Sequence, residues 1–283
     1  MATSVNMVRG GMITQEHLHA AEARTLAARL MRERIVHNLA RLFVLVLVIG
    51  GWQALAQRYA VTLLPSPAET WEGFTRGRSL IFTSSIDTAT EIALGFAIGA
   101  AIGVALGALI GQFKMFEGIV HPYLVMYQSI PKAGLAPMII LVIGFGLMPK
   151  VTLAAMASFF PVLENTIIGI QRADADSVKL FRGLGANQWQ TFLKLRLISA
   201  LPGILTGFRV GVVIATVSVV VAEFVAGRIG LGALMISANA QADTALVFAA
   251  LFALTGVGLM FYFSAALAEK AILKWLNLTA PGD

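Results

Sequence analysis

Five ionisable side chains interrupt stretches of this chain that otherwise carry almost none: Glu91, Lys132, Glu164, Arg209 and Glu223. Charge in apolar spans is costly, and it marks pathways, proton relays or structural pairs. Lys132 and Glu164 fall at matching depth on consecutive stretches running in opposite directions. That placement predicts either an ion pair or direct contact with a solute, Lys132 being the group for an anion. Glu223 lies just before AGRIGLG (226–232), where a structural or gating role is expected. Arg209 can snorkel to an interface. Gln128, Ser129, Asn165 and Thr216 are uncharged polar groups able to line a pathway or to hydrogen-bond within the packing. No catalytic set emerges: the apolar stretches hold no nucleophile beside a base and no paired acids. No G-x-x-x-x-G-K-[ST] phosphate loop is present, so ATP binding by this chain is not expected, and no H-E-x-x-H or other metal spacing occurs. His17, His19 and His37 lie in the N-terminal arm and His121 opens an apolar stretch, so no metal site is expected.

The surroundings of these groups define a membrane protein. Of 283 residues 58% are hydrophobic and only 13% charged, against roughly a quarter charged in soluble domains. Mean hydropathy is +0.80. There is no cysteine, which excludes disulfides and thiol chemistry. The net charge of +6 sits in arginines and lysines beside apolar spans. Membrane orientation and anionic lipid account for it without nucleic acid.

A bilayer core takes about 20 apolar residues as a helix. Six spans are predicted, at 39–60, 86–111, 119–145, 149–170, 203–226 and 245–276. Gly144, Gly146 and Pro149 make a tight turn between the third and fourth, and Pro67 and Trp71 a short interfacial helix before the second. Glu91 then falls one turn into the second span. Fourteen lysines and arginines flank one side, among them Arg34, Arg41, Lys114, Arg172, Lys270 and Lys274; five flank the other, Arg58, Arg76, Arg78, Lys150 and Arg228. The basic side faces the cytoplasm, which places both termini there. Residues 1–38 read as a basic amphipathic arm, helical from near Thr14, or as a partly disordered one. Residues 39–276 form the membrane domain and 277–283 a tail.

Two features organise this domain. Gly95, Gly99, Gly103, Gly107 and Gly111 share one face of the second span, a strip for close helix packing, within the chain or with another. The segment 172–202 is far longer and more polar than a connection requires. Asp174 can cap a short helix, Gly185 can end it in a left-handed conformation, and Asn187 can cap a second helix running to Pro202. Leu180, Phe181 and Leu184 then form an apolar knob beside Lys179 and Arg182, the composition of a docking surface.

This segment resembles the cytoplasmic coupling loop of ABC importer permeases, whose signature places Glu-Ala-Ala three residues before a glycine and Ile-x-Leu-Pro further on. Gly185 matches the glycine. Lys179, Leu180 and Phe181 replace Glu-Ala-Ala, and Leu195–Ile198 replaces Ile-x-Leu-Pro without its proline. LPSP (64–67), SIPKAGLAPMIILVIGFG (129–146), FFPVLENT (159–166), LGANQWQTF (184–192), ALPGILTGFRV (200–210), VVAEFVAGRIGLG (220–232) and DTALVFAAL (243–251) follow the family order. They are similar to the nitrate/sulfonate/taurine branch, over residues 60–276. Many members carry arginine at the position of Glu91 and glutamate at that of Glu223, whereas Glu164 is unusual.

The resemblance implies an all-α, type I importer permease of six spans, working as a homodimer in a bacterial inner membrane. It implies two separate ATPase subunits, holding ATP and magnesium, and an extracytoplasmic binding protein. Asp174, Lys179, Leu180, Phe181, Arg182, Leu184, Gly185 and Ala186 become the ATPase-coupling residues, and Gln128, Ser129, Lys132, Glu164, Asn165 and Glu223 candidate pathway groups. The expected solute is small and anionic, of the sulfonate, nitrate or taurine kind. The alternative is a pyrimidine, riboflavin or an aromatic carboxylate, towards which Glu91 and SIPK lean. From a different class, the residues alone also allow an autonomous channel, a membrane enzyme or a scaffold that anchors an ATPase.

Overall fold

The computed structural model describes residues 31, 33–58, 64–276 and 278. Most of the expected arm, including its helix from Thr14, and nearly all of the tail lie outside the described residues. The chain divides near Pro67 into two compact units. The first contains α1 (Glu33–Arg58), long and apolar enough to cross a bilayer. It runs through the expected arm–domain boundary at residue 38 without a break. The Trp52 indole N–H donates to Pro65 O over 2.9 Å, tying the chain that follows α1 back onto it.

The regular elements of the second unit are all helical among the described residues: α2 (Pro67–Arg76), α3 (Arg78–Gln112), α4 (Lys114–Ser129), a 3-10 turn (Lys132–Leu135), α5 (Ala136–Ile143), α6 (Leu147–Gln171), α7 (Ala175–Gly183), α8 (Gln188–Thr191), a π turn (Phe192–Arg196), α9 (Leu197–Ala226), α10 (Leu231–Ala240) and α11 (Thr244–Trp275). Five helical stretches, α1 among them, are long and apolar enough to cross a membrane. Two further apolar helices, Gly118–Ser129 and Lys132–Ile143, meet at 72° and bring the number to six when taken together as one span.

The expected continuous third span is thus corrected. Pro131 has no N–H to continue the ladder and forces its predecessor out of helical geometry; Ile130 is extended (φ −69°, ψ 124°). The opposite correction applies at Pro202. It does not end the helix of the coupling segment, because α9 continues through it to Ala226. The second span also starts earlier than expected, at Arg78, so Glu91 lies several turns inside it. Gly144 and Gly146 adopt φ of 92° and 126°, the conformation the predicted turn requires.

The core is three helices deep. α3 and α6 run parallel along the glycine strip. A β-carbon at Gly103 would lie 2.8 Å from Phe159 O, and one at Gly107 2.7 Å from the Thr166 β-carbon. Gly95 sits against Ala154 and Gly99 against Ser158 in the same way. On the other flank α9 packs antiparallel to α6, with Gly203 and Gly207 against Asn165 and Gly169 against Ala200. Without side chains at the seam, dispersion contacts form backbone to backbone, which is how helices associate where no hydrophobic drive separates them from lipid. Ile92, Ala154, Val212, Ala215 and Val219 close the centre.

Candidate functional site

The segment 172–202 is built by local rules and mounted on the core. The Asp174 carboxylate accepts from Ser177 N at 2.8 Å, satisfying an N–H at the start of α7. That bond and the Ser177 hydroxyl hold the Asp174 carboxyl below its ordinary range. Gly185 takes a φ of 82°, which reverses the chain with no β-carbon penalty. Asn187 and Gln190 then cap α8 reciprocally: Gln190 N donates to Asn187 Oδ1 at 2.8 Å, and Asn187 N to Gln190 Oε1 at 3.0 Å. Arg196, at the end of the π turn, donates to both Gln112 O (3.1 Å) and Gln112 Oε1 (2.9 Å), fixing this segment to the C-terminus of α3.

The mounted segment leaves its apolar groups outward. Leu180 is 62% exposed and Leu184 77% exposed. Phe181, Leu184, Gly185, Ala186, Gln190 and Lys194 line a recess of about 340 Å³. Lys179 pairs with Asp176 at 2.9 Å in the open, and Arg182 is exposed. The arrangement presents apolar knobs, a shallow recess and cationic neighbours on a short, doubly capped hairpin.

The intramembrane polar groups are distributed differently from expectation. Lys132 and Glu164 do not pair. Lys132 Nζ donates to Tyr127 O (3.3 Å) and Gln128 O (3.2 Å) and lies 4.9 Å from the Tyr127 ring centroid. The break at Ile130–Pro131 causes this. It leaves the last carbonyls of α4 without helical partners, and the ammonium turns back to cap them at the negative end of the helix. Glu164 is exposed on α6. Ser129 donates to Val125 O (3.0 Å) and Asn165 to Pro161 O (2.8 Å), both within their own helices. Gln128 is exposed beside Ser129. Because no ion pair or hydrogen bond joins them, Lys132→Met and Glu164→Gln are expected to act additively, with a coupling energy below about 0.5 kcal/mol. A double-mutant cycle on thermal stability checks this.

The densest polar cluster lies at the opposite end of α6 from α7, around a residue counted from sequence as a flanking charge. Lys150, in the first turn of α6, is 1% exposed and forms an ion pair with Glu91 of α3, also 1% exposed. Its ammonium also donates to Ile229 O at 3.0 Å. Glu223 of α9 accepts from Thr88 Oγ1 (2.7 Å) and Gly232 N (2.6 Å), and Thr88 Oγ1 accepts from Leu231 N (2.8 Å). Arg209 does not simply snorkel, since it pairs with Glu269 of α11 at 3.1 Å. A lysine directly after a turn proline reads as an interfacial charge. Nothing local in the sequence reveals that parallel packing of α3 on α6 buries it.

Among the described residues no group of three or more His, Cys, Asp or Glu could hold a metal.

Comparison with known proteins assigns the chain. Residues 99–274 match the family described as the inner membrane component of binding-protein-dependent transport systems. The riboflavin transport system permease RibX of Chloroflexus aurantiacus is 39% identical over 237 residues, 82% of this chain and 88% of that protein. The putative aliphatic sulfonates permease SsuC of Bacillus subtilis is 33% identical over 81% of this chain and 85% of its own. The formylaminopyrimidine permease ThiX of Halalkalibacterium halodurans is 32% identical over 82% and 93%. In fold, the methionine ABC transporter MetNI in an inward-facing conformation superposes with a TM-score of 0.61 at 16% identity, over 70% of this chain and 98% of that one. Family match, relatives aligned over most of their length and the type I importer fold agree: this chain belongs to the binding-protein-dependent inner-membrane permeases and is a membrane-spanning permease subunit of an ABC importer.

Proposed function

We propose that the permease carries a small planar nitrogen heterocycle, of the riboflavin or pyrimidine type, through a homodimer driven by two separate ATPase subunits and supplied by an extracytoplasmic binding protein. The observation that carries the solute class is the similarity to RibX, 39% over four-fifths of the chain. A sulfonate is the second reading, supported by the 33% identity to SsuC and by Lys132 as the cation within the broken span.

The charge asymmetry orients the protein with both termini and α7 in the cytoplasm. Residues 172–202 serve as the coupling module. Leu180, Phe181 and Leu184 seat in a cleft of the ATPase, Lys179 and Arg182 meet its acidic rim, and Asp174, Gly185 and Ala186 maintain the hairpin. ATP-driven closure moves the hairpin, and Arg196 transmits the displacement to α3. The glycine seams make α3, α6 and α9 one rigid body, so the response is a rocking motion between inward and outward states. Gln128, Ser129, Lys132, Glu164 and Asn165 are the pathway candidates.

Proteoliposomes holding the permease, its ATPase and its binding protein are expected to take up radiolabelled riboflavin or formylaminopyrimidine, dependent on ATP. Uptake of taurine or an alkanesulfonate alone would establish the second reading. An ATPase that does not co-purify with the permease would count against the coupling assignment.

A further inference from the structure

The cluster around Lys150 contains one acid more than it contains bases. Glu91, Glu223 and Lys150 are each 1% exposed. The charged groups facing Glu91 are Lys150 from α6 and Glu223 from α9; those facing Glu223 are Glu91 from α3 and Lys150. The short loop into α10 adds backbone groups but no further charge to the cluster. Arg228 of that loop lies over the Phe145 ring instead, 5.7 Å from its centroid. Fully ionised, the cluster would bury a net negative charge with nothing to balance it, a state that proteins avoid by neutralising a group.

The hydrogen bonds identify where the neutralising proton sits. Glu223 uses both oxygens as acceptors, from Thr88 Oγ1 and from Gly232 N at the start of α10. Glu91 uses one oxygen for Lys150. Its second, Oε2, is the one fully buried side-chain polar atom without a hydrogen-bond partner among the described residues, on a carboxyl that faces Glu223. A carboxylate only accepts, so with both acids ionised that oxygen stays orphaned; a protonated carboxyl can donate.

We propose that Glu91 and Glu223 share one proton, and that this proton, with Lys150, completes a neutral latch holding the N-terminus of α10. Three helices converge on that end. Glu223 of α9 and Thr88 of α3 satisfy the Gly232 and Leu231 N–H groups, and Lys150 of α6 holds the Ile229 carbonyl just before it. Gly230, the residue preceding α10, supplies no side-chain cap of its own. Moving α10 therefore means opening the cluster to water, where the acid would release its proton. These residues position α10 at the end of the bundle opposite α7, and the latch stands whatever the solute proves to be.

The test is infrared spectroscopy on the assembled transporter at neutral pH. A deuterium-sensitive carboxylic-acid C=O band is expected in the parent and absent in Glu91→Gln. The amide introduced by this substitution can still donate to Glu223 and accept from Lys150, so the variant should keep the assembly and thermal stability of the parent. Lys150→Met, which removes the cluster's only base, should lose both. Loss of the proton on raising pH leaves a buried net negative charge. The melting temperature of the parent should therefore fall towards alkaline pH, and that of Glu91→Gln should fall less. If Glu91→Gln does not assemble, Glu223→Gln reads the same band. No acid band in the parent, or a band that survives both substitutions, overturns the proposal, as does an alkaline fall equally steep in parent and Glu91→Gln.

Discussion

Gly103→Leu is expected to leave almost no assembled transporter. Even a lone β-carbon at this position would lie 2.8 Å from Phe159 O and 3.0 Å from Val162 Cβ. The first of these is backbone, which cannot rotate out of the way. Adding methylenes to a packed interior costs about 1–3 kcal/mol where side chains can adjust, and the cost is higher where they cannot. Gly99 and Gly107 hold the helices equally close on either side, so α3 cannot shift locally and must separate from α6 along its length. That separation also pulls Glu91 away from Lys150. Detergent-solubilised Gly103→Leu should elute as aggregate in size-exclusion chromatography. Gly118→Ala, whose β-carbon meets nothing within 4 Å, should elute as the parent does. A Gly103→Leu protein that assembles and transports normally would mean the α3–α6 seam is looser than the structure shows.

Leu184→Asp is expected to do the reverse, keeping the fold and abolishing coupled transport. Leu184 is 77% exposed at the rim of the α7–α8 recess, so its own chain loses little by the change. A partner cleft shaped for it would receive a charge instead. Loss of a central apolar anchor costs about 2 kcal/mol or more, roughly 30-fold in affinity. Membrane insertion and elution of the free permease should match the parent, while ATPase co-purification and solute-stimulated hydrolysis collapse. Gly185→Val should act on the same step through the backbone, since a β-branched residue at φ 82° costs roughly 1–2 kcal/mol and reopens the hairpin. Unchanged stimulated hydrolysis in Leu184→Asp would move the docking surface elsewhere, Trp189 being the next exposed candidate at 66%.

The sequence alone determined the features whose causes are local. Apolar length made the spans, because a bilayer admits no unpaired backbone. Asp174, Gly185 and Asn187 were legible because a cap or a left-handed turn depends on a residue and its near neighbours. The four-residue glycine period marked a packing face for the same reason.

Tertiary structure decided whatever depended on neighbours distant in sequence. Pro131 and Pro202 carry the same local signal and end differently. At Pro131 the helix breaks, and Lys132 takes up the carbonyls freed at the end of α4. At Pro202 contacts of Ala200, Gly203 and Gly207 with α6 hold the chain helical on both sides. Lys132 and Glu164 matched in depth but did not meet, since depth says nothing of azimuth once a span is bent. Lys150 read as a surface charge and is buried, because its partner Glu91 lies 59 residues earlier on a helix brought alongside by the glycine seam. A charge is a property of its residue, whereas burial and pairing belong to the packing, and only the fold could place a third charge, Glu223, against those two.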